Sequence, residues 1–153
     1  MIGNSGWMGR SARLRMAPGT ISSWQASSTL SATDWPQFQG PSRTGVSAES
    51  GLVRSFAQDG PKILWETKLE PGFGGCAVVG DEIFLVDRVM QEKDMLLCLD
   101  AKTGKQKWRY ESPSEGEPSF PGSRSVPTVD GDSVYFVGSF GRVHCIDRKS
   151  RKA

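Results

Sequence analysis

The chain has 153 residues, 37% of them apolar, with 18 Gly and 9 Pro. That is lean in core formers and rich in turn formers, which points to an all-β protein of many short strands. A net charge of only +2 gives no electrostatic case for nucleic acid, and no apolar run approaches the roughly 18 residues of a membrane-spanning helix.

Residues 1–33 carry Arg10, Arg13 and Arg15, no acid, and many Ser and Thr. This composition reads as a disordered leader, or as a start placed upstream of the true one. The stretch Met16-Ala17-Pro18-Gly19-Thr20-Ile21 is too short and too broken for the apolar core of a secretory signal. Residues 34–62 form an irregular lead-in, punctuated by Pro36, Gly40, Pro41, Gly45, Gly51 and Gly60. Ile63 to Leu69 is then a strand with no partner upstream.

Four short strands follow, over Cys76 to Val79, Glu82 to Asp87, Met95 to Asp100 and Lys105 to Glu111. Turn residues separate them at Gly80-Asp81, at Gln91 to Asp94 and at Lys102 to Gly104. These make one four-stranded antiparallel unit within about 63–111. A second unit, about 123–153, runs Ser125 to Val129, Ser133 to Gly138 and Gly141 to Asp147. Its fourth strand would start near Lys152, where the sequence stops.

The two units are copies. Leu96-Leu97-Cys98-Leu99-Asp100-Ala101-Lys102-Thr103-Gly104-Lys105 recurs as Arg142-Val143-His144-Cys145-Ile146-Asp147-Arg148-Lys149-Ser150-Arg151, so Cys98 and Cys145 stand 47 residues apart, as do Asp100 and Asp147. Val78 to Val86 recurs at Val129 to Val137, offset by 51, and Trp65 is echoed 43 residues on by Trp108. Periods of 40–50 residues with several strands each are the mark of propeller blades. The fold expected is therefore all-β: about two four-stranded blades of a seven- or eight-bladed ring, ending before the ring closes.

The repeated turn explains its own residues. The Asp100 carboxylate at the turn mouth can accept N–H bonds from the residues ahead of it, and the Thr103 hydroxyl can bond nearby backbone. Gly104 suits a positive φ, where a Cβ is costly. Trp108, four residues on, is large enough to cover the junction between neighbouring blades. These are structural roles.

At these residues the chain resembles the PQQ-binding-like, quinoprotein-type propeller repeat. That motif runs Ala-x-Asp-x-x-Thr-Gly-Lys-x-x-Trp; here Cys98, Asp100, Thr103, Gly104, Lys105 and Trp108 fill it, with Cys for Ala. The second copy keeps Cys145 and Asp147, has Ser150 for Thr and Arg151 for Gly, and its Trp would fall past Ala153. The segments Asp34 to Pro41 and Pro121 to Asp132 are similar to secreted propellers typical of planctomycetes. The resemblance covers Asp34 to Lys152.

It implies one of two functions. Some relatives are dehydrogenases that hold pyrroloquinoline quinone and calcium and oxidise alcohols or sugars. Others, such as the propeller lipoprotein of outer-membrane barrel assembly, bind proteins and no cofactor. The dehydrogenases carry adjacent cysteines, a catalytic Asp and a Glu/Asn/Asp calcium set, and no such set is readable here. The expectation is a non-catalytic propeller that takes a protein partner or further blades, with no cofactor in this segment and no catalytic or metal-binding residues. A periplasmic or secreted location is implied by the resemblance alone.

Other residues read as structure. Cys76, Cys98 and Cys145 lack metal-site spacing and are expected to be buried small hydrophobes. His144, the lone histidine, sits within a strand as a structural or half-exposed residue. Gly72-Phe73-Gly74-Gly75 precedes a strand, not a helix, so it is a loop and not a phosphate cradle. Ser123 and Ser125 are turn residues. Asp81, Asp130 and Asp132 are hairpin tips. Arg148 to Lys152 is a basic turn rather than a nucleic-acid patch.

Overall fold

The structure is a computed structural model that describes residues 12–16 (backbone only), 33–50, 52, 55, 56, 58 and 60–153. Most of the expected leader lies outside the described residues. Nine strands and no helix are described: β1 (Ala12–Met16), β2 (Trp65–Leu69), β3 (Cys76–Val79), β4 (Glu82–Val89), β5 (Gln91–Asp100), β6 (Gln106–Gly116), β7 (Thr128–Asp130), β8 (Ser133–Val137) and β9 (Val143–Asp147). They form an antiparallel pair β1-β2, a four-stranded meander β3-β4-β5-β6 and a three-stranded meander β7-β8-β9. This is the architecture of propeller blades in an open arc.

One pairing and several strand boundaries differ from the sequence expectation. The strand at 65–69 does have an upstream partner, because Ala12–Met16 pairs with it from Ala12↔Leu69 to Met16↔Trp65. The β4-β5 hairpin is longer than expected, with its turn confined to Met90–Glu92 and Gln91 at φ 64°. Asp94 reads as a turn residue in sequence, but it faces Arg88 across the hairpin, and the two bury as an ion pair at 2.9 Å. The longer β5 then carries β6 out to Gly116, past Pro113, which an edge strand tolerates because its missing N–H faces away from the ladder. In the second blade β7 starts only at Thr128, since Pro127 cannot donate to a ladder.

Strand alternation sorts the core. Phe84 and Val86 of β4, Leu96 and Cys98 of β5, and Trp108 of β6 pack against Val129, Val134, Phe136 and Ile146 of the second blade. The other face of the first blade, with Ile83, Leu85, Met95, Leu97 and Leu99, closes on Trp65. Both faces of β4 and β5 are therefore buried, which is why these strands read as continuous apolar runs.

The lead-in segment binds the blades together. Trp35 exchanges two backbone hydrogen bonds with Val78 of β3, and the Pro36 carbonyl accepts from Val129 N–H of β7. Asp34 Oδ1 accepts from Gly80 N–H at 2.8 Å. Gly40 has φ 78°, and a Cβ there would lie 2.7 Å from the Trp35 ring. A stretch that reads as irregular is thus a strap across the first strands of both blades.

Candidate functional site

The repeat turn is built from Asp100 outward. Its Oδ1 accepts from Thr103 N–H and Oγ1–H, both at 2.8 Å, and from Lys102 N–H at 3.1 Å. The bonds from Thr103 hold the Asp100 carboxyl below its ordinary value. Gly104 N–H donates to the Asp100 carbonyl and Asp100 N–H to that of Lys105, each at 2.8 Å. The ring of Trp65 lies over Gly104, where a Cβ would come within 2.3 Å of it. Trp65 Nε1–H donates to the Ala101 carbonyl at 3.0 Å, and the Thr67 hydroxyl to that of Gly104 at 2.8 Å. Gly104 therefore answers two demands, a φ of 69° and a tryptophan from the preceding strand pair. Sequence reading finds only the first.

The second turn repeats the skeleton. Ser150 N–H donates to Asp147 Oδ1 at 2.6 Å, Arg151 N–H to the Asp147 carbonyl at 2.7 Å, and Asp147 N–H to the Lys152 carbonyl at 2.9 Å. Arg151, in the glycine position, adopts φ 62°. Asp81 and Asp132 are exposed hairpin tips that pair with Lys102 and Lys149.

Trp108 lies in the cluster between the blades, 5.9 Å from Phe84. The cysteines divide, and all three are free thiols. Cys98 is fully buried, and burial together with Glu82 pushes its thiol up to about 12. Cys76 is half-buried. Cys145 is exposed, against the expectation of three buried cysteines. It occupies the position of Cys98 in its own blade, but on a face that the described residues leave uncovered.

Two ties cross the blade junction, and neither is evident in the sequence. On one side Arg148 bonds Glu82 Oε2 at 2.8 Å, while Lys107 holds Oε1 at 2.7 Å. On the other, Arg88 donates to Asp94 Oδ1, to the Ser114 hydroxyl and to the carbonyls of Ser114 and Gly116. Asp94 then takes the N–H and hydroxyl of Ser139 from the second blade. Burial alone would raise the Asp94 carboxyl, but the bonds from Ser139, Ser114 and Arg88 outweigh it and hold it low.

The connections between strands supply an exposed face. Gly72 and Ser123 form a parallel bridge, and Phe73 and Gly74 N–H both donate to the Ser123 carbonyl. A Cβ on Gly74 would lie 2.6 Å from the Ser125 carbonyl oxygen. The glycines thus serve backbone-to-backbone contact, and the Ser123 hydroxyl donates inward to Val86 O. On this platform a cavity of about 710 Å³ is lined by Trp35, Phe38, Gln39, Phe73, Gly75, Cys76, Arg124 and Val126. Phe38 is 65% exposed, Phe73 71% and Phe120 58%. The Arg124 guanidinium sits 5.9 Å from the Phe120 ring. No carboxylate lines the cavity, so it offers calcium none of the anionic oxygens that ion requires. The described residues hold no group of three or more His, Cys, Asp or Glu placed to share a metal. They also include no helix long and apolar enough to cross a membrane.

Residues 49–153 match the sequence profile of a family described as outer membrane protein assembly factor BamB. No curated protein matches the chain.

Proposed function

The chain belongs to this BamB family of PQQ-type repeat propellers, and we propose that it is a non-catalytic propeller segment that binds a protein partner through the Phe38, Phe73, Phe120 and Arg124 face. The observation that carries this is the exposure of three phenylalanines around one arginine, on a platform of close-packed backbone. Soluble domains seldom leave such apolar groups clustered in water without a use for them. Aromatic side chains and arginine are also the residue types that dominate binding hot spots. The partner surface would be apolar, with a carboxylate opposite Arg124.

The uncovered face of the second blade, with Tyr135, Val137 and Val143 exposed, would take a further blade of the same ring. The likeness of Asp34 to Pro41 and of Pro121 to Asp132 to secreted propellers supports a periplasmic or secreted setting. The second reading, a quinone-dependent oxidoreductase acting on alcohols or sugars, rests on the repeat family alone.

A photo-crosslinking amino acid at position 73, in the producing cell, separates the two. A discrete protein adduct that disappears with Arg124→Glu is the expected result. No adduct, together with saturable binding of pyrroloquinoline quinone plus calcium to the purified chain, would reverse the choice.

A further inference from the structure

The junction of the blades holds a second cavity, of about 300 Å³, at the lower end of the range for small-molecule sites. It lies beside the Arg88–Asp94 tie, and Asp94, Ser112, Ser114, Phe140, Arg142 and His144 line most of it. We propose that this cavity binds a small molecule through an oxyanion group, a carboxylate or a phosphate.

His144 lies in the cavity wall. The repeat places it where the first blade has Leu97, so the packing itself does not call for an imidazole. The ring is stacked on Phe136 at 4.5 Å and 13°, and lies 5.8 Å from Tyr110. Only 8% of the residue is exposed. Neither ring nitrogen has a hydrogen-bond partner among the described residues. An imidazole carries polar nitrogens on both sides of the ring; neither His144 nitrogen is sealed from solvent, so both are open to a group that enters the cavity.

Ser112 repeats the pattern. It is 4% exposed, and its hydroxyl has no partner among the described residues. The groups around them decide which ligand fits. Asp94 is the buried carboxylate, but both its oxygens are engaged, by Arg88 and by Ser139. Arg142 makes one bond, to the Pro113 carbonyl at 3.3 Å, and keeps the rest of its donors. Glu115 stands exposed at the rim. The groups left uncommitted are therefore the His144 imidazole, the Ser112 hydroxyl and the guanidinium of Arg142, which is exposed at the rim like Glu115. All three can donate, and together they match an oxyanion. The Phe140 ring gives the ligand's body an apolar wall.

The groups acting on His144 set the pH behaviour. Burial first, then Arg142, hold its imidazole below the ordinary value, while Asp94 pulls the other way. An anion bound beside it favours the imidazolium. His144 is the chain's only histidine, so its Cε1–H resonance is a single reporter in the full chain.

The test titrates sodium phosphate and sodium lactate into the purified chain, with sodium chloride at matched ionic strength. The expected result is a saturable movement of the His144 resonance and a rise in its titration midpoint. Arg142→Gln should weaken this about tenfold, and Ser112→Ala should weaken it in the same direction. A response to phosphate alone, or to lactate alone, supports the site and identifies the oxyanion it prefers. A shift that does not saturate, a shift that chloride reproduces, or unchanged affinity in both variants would overturn it.

Discussion

The two blades share a repeat but not an environment. The first is covered on both faces, by Trp65 on one side and by the second blade on the other. Among the described residues the second is covered on one face only. Its burial pattern alternates along β8 and β9, whereas β4 and β5 are buried almost end to end. Equivalent positions therefore carry different loads. Ile83 and Leu85 correspond to Val134 and Phe136, and all four are buried. Phe84 corresponds to Tyr135, and Cys98 to Cys145; in each pair only the first is buried. The comparison teaches that the repeat fixes where the backbone goes, while the neighbour fixes which side chains matter energetically.

The largest expected effect tests this difference directly. Phe84→Ala removes a fully buried ring from the interblade cluster and should cost about 3–5 kcal/mol. Tyr135→Ala, at the matching position, removes a ring that is 39% exposed and should cost less than about 1 kcal/mol. Urea unfolding of both variants gives the two values. Equal losses would mean that the uncovered face of the second blade is in fact packed against something in solution.

A smaller effect sharpens the comparison at the turns. Gly104→Val forces a Cβ both into positive φ and into the Trp65 ring. The conformational cost is about 1–2 kcal/mol, and the overlap adds a similar amount, for a total of about 3 kcal/mol. Arg151→Val leaves a turn that already carries a Cβ at φ 62° on an exposed residue, and should change stability by less than about 1 kcal/mol. Lys105→Val, one residue past Gly104 and exposed, serves as the local control. If Gly104→Val and Arg151→Val shift the midpoint equally, the tryptophan contact contributes nothing and only the φ requirement remains.

The blade pattern was legible in sequence because turn chemistry is local. Gly80-Asp81, Asp130-Gly131 and the Asp100 to Lys105 turn announce themselves by residue type, and the strands between them follow. What stayed hidden depends on partners far along the chain. Asp94 reads as a turn residue because nothing local says that it buries against Arg88. The Asp34 to Pro36 strap looks irregular because its hydrogen bonds go to Val78, Gly80 and Val129. Phe38, Phe73 and Phe120 are unremarkable as isolated residues, and only the bridges Gly72 to Ser123 and Trp35 to Val78 gather their segments on one platform. Cys145 reads as one more buried small hydrophobe, but it is exposed, because the repeat cannot say which face has a neighbour.

The smallest expected effect concerns the pair Leu97 and His144, where the repeat puts an apolar side chain in one blade and a titratable one in the other. Burial and Arg142 hold the folded imidazole below its ordinary value of 6.5. A base with a depressed folded pKa resists protonation more than its unfolded counterpart does, so its contribution is fully present above pH 6.5 and is lost as the pH falls through the folded value. Stability should therefore decline on going from pH 7 to pH 5, by no more than about 1.4 kcal/mol per pH unit for one proton. The Asp94 carboxyl is also depressed, from 3.8, and its contribution is lost only at lower pH, so the two windows separate. His144→Leu restores the side chain of the first blade and should flatten the upper window while leaving the acid one. Urea midpoints measured at half-unit steps of pH resolve both. A slope between pH 7 and pH 5 that survives His144→Leu would remove His144 as its source.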